Sequence, residues 1–146
     1  MTQSIDNKFP AGQGRSVGSP GKGDLDTHWI AYHLLWCPKR VKPVLIGEVA
    51  EECDGLIRAV CGQRGWEVLQ LSLFPVCVHL FVRATPTDAA HKVVKEIKDF
   101  TASRLRQRYP ALRRLPSLWT RSYLCTTASQ INDDLLLQYI YTQKRT

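Results

Sequence analysis

Two short runs carry the residue types that chemistry needs. Cys77-Val78-His79-Leu80-Phe81-Val82 reads as a strand, in which Cys77 and His79 project to one face and Val78 to the other. A pair at i and i+2 on a rigid strand can chelate one ion, although an apolar strand also accommodates a histidine as plain core. Gln138-Tyr139-Ile140-Tyr141-Thr142-Gln143 reads as a helix that sets Tyr139 and Gln143 one turn apart on one face. A phenol there could attack phosphorus, with the amide oxygen completing a metal site. The same spacing also fits an apolar stripe of Leu135, Leu136, Tyr139 and Ile140. Tyr141 falls on a different face and is the poorer nucleophile.

Placing these residues requires a scaffold, and the pattern around them supplies one. The aromatic-rich run from Trp29 to Cys37 reads as a buried strand. A basic loop, Pro38 to Pro43, follows it. Gly47 to Gly62 has the spacing of an amphipathic helix, ended by Gly62 and Gly65. Trp66 to Leu73 alternates with period two, Pro75 breaks it, and Val76 to Arg83 is apolar enough for a central strand. The short break predicts an antiparallel pair. Thr87 or Asp88 is positioned to cap a long helix ending near Tyr109-Pro110. Leu118 to Thr127 is the fourth expected strand. Ser129 or Asn132 then caps a last helix, with Asp133 and Asp134 in the first turn where the dipole favours acids. The order β-α-β-β-α-β-α is that of an α+β, ferredoxin-like split βαβ fold: a four-stranded antiparallel sheet plus a C-terminal helix that carries the tyrosine. RNA-recognition modules share this topology, so fold alone does not decide function.

The chain has 146 residues and a formal net charge of +7. Residues 1–27 hold five of the nine glycines and balance their charges, so they read as a disordered tail and leave 28–146 as the folded domain. The excess positive charge is densest over 92–121, where nine Lys and Arg face only Glu96 and Asp99. Such a domain suits a polyanion. Lys39, Arg40, Lys92, Lys95, Arg104 and Arg121 are the candidate contacts to that polyanion, either nucleic acid or an anionic membrane, with Trp119, Tyr123 and Tyr109 as base-stacking platforms for the former or as core. No apolar run of about 18 residues is present, which argues against a membrane span. An odd set of five cysteines without a CxxC points to reduced thiols and a cytoplasmic setting.

Four stretches, in order, resemble the single-tyrosine HUH (histidine–hydrophobe–histidine) transposases of insertion sequences of the IS200 type. They are Tyr32-His33-Leu34-Leu35-Trp36-Cys37-Pro38-Lys39 with Lys42-Pro43-Val44-Leu45; Cys77 to Val82; Leu118-Trp119-Thr120-Arg121-Ser122-Tyr123; and Tyr139-Ile140-Tyr141-Thr142-Gln143. The resemblance implies a dimeric transposase acting on single-stranded DNA hairpins, with C-terminal helices that can be exchanged between subunits. It implies cleavage and rejoining of strands through a 5′-phosphotyrosine at Tyr139. It also implies a Mg²⁺ or Mn²⁺ ion held by His79, Gln143 and the residue at position 77.

The chain departs from that family at two positions: Val76 stands where the strand usually has aspartate, and Cys77 where it has the first histidine. Thiolate suits Zn²⁺ better than Mg²⁺ or Mn²⁺, and an apolar setting keeps a thiol protonated. Three outcomes follow: weak activity with Mn²⁺, a different metal such as Zn²⁺, or a hairpin DNA- or RNA-binding protein without cleavage. A structural zinc protein built on Cys77 and His79 is the remaining alternative.

Overall fold

The computed structural model describes residues 30–127 and 133–143. The expected tail over 1–27 and the caps at Ser129 or Asn132 lie outside these residues. The elements are β1 (Ile30–Trp36), α1 (Gly47–Arg64), β2 (Glu67–Phe74), β3 (Cys77–Ala84), α2 (Ala90–Arg108), β4 (Leu124–Thr126) and α3 (Asp133–Gln143), with short 3₁₀ turns at Lys39–Val41 and Pro110–Arg114. The strands form one antiparallel sheet in the order β2-β3-β1-β4, as the split βαβ pattern requires.

The sheet has two apolar faces, and the period-two alternation decides which residue serves which. Tyr32, Leu34 and Trp36 of β1 join Val78, Leu80 and Val82 of β3 under α1 and α2, which contribute Ile57, Val60, Val93 and Ile97. Leu35, Cys37, Cys77 and Phe81 form a smaller cluster on the opposite face with Leu136 of α3. Val78 thus points into the main core and Cys77 away from it, as the strand pattern predicts. At α1's C-terminus Gly65 adopts φ 79°, and its N–H and that of Trp66 return to Cys61 and Gly62 carbonyls. Only glycine takes that left-handed turn cheaply. Gly62, expected as a terminator, lies inside the helix.

Two further local expectations are corrected. Neither Thr87 nor Asp88 caps α2; the N-cap is Ala89, with no side-chain bond. The Asp88 carboxylate instead accepts from Trp66 Nε1 at 2.9 Å and from Thr85 and Lys92 at 3.3 Å. The fourth strand is three residues long, not ten. Trp119 meets Pro38 in an isolated bridge, and the chain between Trp119 and Leu124 leaves the ladder. The cause is visible: Lys98 Nζ draws in the carbonyls of Thr120 (2.6 Å), Ser122 (3.3 Å) and Arg121 (3.4 Å) from below. No helix among the described residues is long and apolar enough to cross a membrane.

Candidate active site

The face covered by α3 collects most of the reactive side chains. Antiparallel pairing sets Leu35 opposite His79 and His33 opposite Phe81. On this shared face the diagonal neighbours meet: His33 Nδ1 lies 3.0 Å from His79 Nε2. The His33 ring stacks flat on Phe81, with centroids 4.0 Å apart and planes 5° from parallel. Both imidazoles are wholly buried. Burial, with His33 beside it, pushes the His79 pKa down to about 3, so its imidazole is neutral at pH 7.

Tyr139 and Gln143 come to the same face from α3. Tyr139 packs against the cluster that contains Cys77, Cys37 and Leu136, while Tyr141 is exposed. The Ser122 hydroxyl donates to Gln143 Oε1 at 2.8 Å and lies 3.3 Å from the Tyr139 hydroxyl. Serine has one proton to give. With it committed to Gln143, the phenol is the donor to Ser122. Burial pushes the Tyr139 pKa up to about 12, against the pull of Ser122 and Thr120. The tyrosine is therefore a neutral phenol held by a serine. The apolar-stripe and polar-face readings of α3 both apply: Leu136 is fully buried, and Tyr139 buries its ring while presenting its hydroxyl to a polar loop.

The tyrosine and glutamine gather at Ser122 and the histidines gather at each other. Cys77 belongs to the apolar cluster that Tyr139 touches. Its thiol is only 1 % exposed, and burial together with neighbouring Cys37 raises its pKa. A neutral, soft thiol does not fit a hard divalent ion. His79, as a neutral imidazole, and Gln143, as an amide oxygen donor, do fit one. Among the described residues no group of three or more His, Cys, Asp or Glu forms a metal-ligand cluster. All five cysteines are free thiols.

Sequence reasoning gave His33 and Ser122 no role beyond their place in the stretches that carry the resemblance, and read Lys98 as one of the polyanion-binding residues of its helix. His33 sits in a continuous apolar run, and only its 46-residue separation from His79, closed by strand pairing, makes it part of the site. Its detectable signal is the odd-numbered face His33, Leu35, Cys37, once β1 and β3 are known to be neighbours. Lys98 looks in sequence like one more helix cation. It is in fact the clamp on the loop that carries Ser122.

Trp119, Thr120, Arg121 and Tyr123, which flank Ser122, also line a cavity of about 800 Å³. Lys39, Arg40, Lys95, Lys98, Arg106 and Arg121 line it, and Asp99 is its one carboxylate. Four of the six predicted DNA contacts, Lys39, Arg40, Lys95 and Arg121, therefore share one groove. Lys92 and Arg104 do not line it: Lys92 pairs with Asp88, and the Arg104 guanidinium lies 4.8 Å over the Phe100 ring. Trp119 is 5 % exposed, with its Nε1 donating to Thr101 at 3.0 Å, so it belongs to the core rather than to an open stacking platform. Tyr123 reaches the groove. The basic turn at its rim is strained, since Arg40 and β-branched Val41 have φ of 59° and 52°. Such left-handed non-glycine residues cost about 1–3 kcal/mol and persist where surrounding contacts enforce them. Here Lys39 N–H bonds Leu118 O at 2.7 Å and Val41 N–H bonds Pro38 O at 2.9 Å.

Comparison with known proteins places the chain in a family and a fold. The chain is 35% identical over 125 residues to the ISDra2 transposase TnpA of Deinococcus radiodurans, covering 84% of this chain and 89% of the relative. A crystal structure of a transposase from D. radiodurans R1 superposes with a TM-score of 0.75 at 32% identity, covering 86% of this chain and 97% of that one. A REP-associated tyrosine transposase bound to a REP hairpin shares the fold, with a TM-score of 0.52 at 12% identity over 76% of this chain and 62% of that one. Residues 26–143 match the family described as IS200-like transposase, and with that match the chain belongs to the IS200-like transposases.

Proposed function

We propose that this transposase cleaves and rejoins single-stranded DNA at hairpin ends, with Tyr139 as the nucleophile. The observation that carries the reading is that Tyr139 and Gln143 share Ser122 while α3 packs on the sheet face bearing Cys77 and His79. The phenol oxygen forms a bond to phosphorus as the bond to the 3′ oxygen breaks. The phenol gives up its proton, and the departing 3′ oxygen ends as a hydroxyl. One phosphodiester replaces another, so the step is close to balanced and can be reversed to rejoin strands. Because burial keeps the phenol protonated, its activation depends on the substrate phosphate reaching the site. His79 and Gln143 would hold a Mg²⁺ or Mn²⁺ ion, which when bound polarises the phosphate and steadies the leaving oxygen. Ser122 orients the phenol.

The groove lined by Lys39, Arg40, Lys95 and Arg121 holds the hairpin stem through its phosphates, with affinity that falls as salt rises. A homodimer, whose α3 helices can be exchanged between subunits, and a cytoplasmic location complete the proposal. Incubation with a hairpin oligonucleotide carrying a single-stranded flank tests it. The expected products are a fragment whose 3′ hydroxyl a polymerase can extend and a 5′ fragment end linked to protein. Fragments with a 5′ phosphate and no protein linkage count against it.

One observation favours a second reading. The buried, protonated Cys77 removes a ligand, which suits a protein that binds hairpin DNA or RNA without cutting it. Tight hairpin binding with no scission in Mg²⁺, Mn²⁺ or Zn²⁺ supports that reading.

A further inference from the structure

We infer that His33, from β1, is the second imidazole of this chain's ion site and takes the place of the histidine that position 77 lacks. The inference rests on the proposed reading only for the need of a divalent ion. Its basis is the 3.0 Å separation of His33 Nδ1 and His79 Nε2. Octahedral Mg²⁺ and Mn²⁺ hold their ligands at about 2.1 Å, so two adjacent donors stand about 3.0 Å apart. Tetrahedral Zn²⁺ spreads two nitrogens to about 3.3 Å. The gap between these nitrogens has the length of an octahedral edge, and in the ion-free protein one hydrogen bond spans it.

The edge is fixed in advance. The His33 ring is stacked on Phe81, and both histidines sit on adjacent central strands whose pairing leaves no freedom of register. Rigid elements are the favoured support for a metal pair. In the ion-free protein the hydrogen between the two nitrogens belongs to one ring. Moving it to that ring's other nitrogen, with a small turn of each ring so that the two lone pairs converge on one point, frees both for an ion with no net proton lost. Cys77 then has a packing role, consistent with its place among Leu35, Phe81 and Leu136. Hard oxygen donors, Gln143 and the DNA phosphate, complete a ligand set of the type such ions favour.

The test uses the full chain and Mn²⁺ alone. Pulsed electron paramagnetic resonance counts the imidazole nitrogens coupled to the ion, and the free-Mn²⁺ signal gives the affinity. Two nitrogens are expected in the native protein. His33→Gln should leave one and weaken binding by about tenfold or more, while Cys77→Ala leaves both readings unchanged. A second measurement needs no variant. Substoichiometric Mn²⁺ should broaden the ring signals of His33 and His79 together, with His28 and His91 as internal references. A single coupled nitrogen, broadening of His79 without His33, loss of binding in Cys77→Ala, or no bound Mn²⁺ overturns the inference. If His33→Gln forms the hairpin adduct at the native rate, the inference fails and the cleavage reading stands. If both imidazoles bind Mn²⁺ and no adduct ever forms, the reverse holds.

Discussion

The hydroxyl of Ser122 donates to Oε1 of Gln143 across 2.8 Å, which ties the loop before β4 to the last turn of α3. Through the same oxygen it receives the phenol of Tyr139. Ser122→Ala removes this shared seat. A single hydrogen bond contributes about 1 kcal/mol, so adduct formation should fall about fivefold while hairpin affinity stays at the native level. Parallel band-shift and adduct-rate measurements separate the two. An unchanged adduct rate removes Ser122 from the site.

Lys98 lines the basic groove, yet its ammonium is committed to the carbonyls of residues 120–122. It should therefore behave as a positioning residue, unlike its neighbour Arg121. Lys98→Met is expected to slow adduct formation by about tenfold and to leave the salt dependence of hairpin binding unchanged. Arg121→Gln should lower the slope of log affinity against log salt by about one unit. A matching loss of slope in Lys98→Met means that Lys98 binds phosphate directly.

Among the described residues, Leu136 is the one fully buried apolar side chain of α3. An 11-residue helix does not hold its shape alone. Leu136→Ala should cost about 3 kcal/mol, and that cost should fall on the docking of α3. Hydrogen exchange of α3 amides should accelerate by about a hundredfold, while β1 and β3 exchange at native rates. Uniform acceleration across the sheet contradicts this assignment.

Alkaline pH should destabilise the fold. Burial raises the thiols of Cys37, Cys53 and Cys61 to about 12, against an ordinary value near 9. The unfolded chain then loses these protons first, so stability is intact below about pH 9 and is lost as pH climbs toward 12. Lys98 works in the opposite sense: its pKa is held down to about 8 by burial, so its share of stability grows between about 8 and 10.5. The thiols outnumber it, and Tm should fall. Cys53→Ala, in α1 and far from α3, should flatten the decline. A decline of unchanged slope excludes the buried thiols as its cause.

Local periodicity made much of the scaffold legible. The hairpin turn at Pro75, the split βαβ order and the opposite orientations of Val78 and Cys77 all follow from patterns a few residues long. The fourth strand was legible only in part, because Leu118 and Trp119 are apolar for a different reason: they enter the core beneath α2, and Lys98 pulls the next carbonyls off the ladder. The caps of α2 were misread because Asp88 has a better donor in Trp66, 22 residues away. The pairing of His33 with His79 was hidden for the same kind of reason. Its meaning depends on register with a strand 46 residues later, and no local window contains both histidines.

The central claim is that Tyr139 becomes covalently joined to DNA. Its most direct test is mass spectrometry of the tryptic peptides after incubation with a hairpin oligonucleotide and Mn²⁺, with Tyr139→Phe in parallel. The account predicts a nucleotide adduct on the peptide containing Tyr139, at Tyr139 rather than Tyr141, and none in the variant. An adduct on Tyr141, an adduct that persists in Tyr139→Phe, or saturated hairpin binding without any adduct contradicts it.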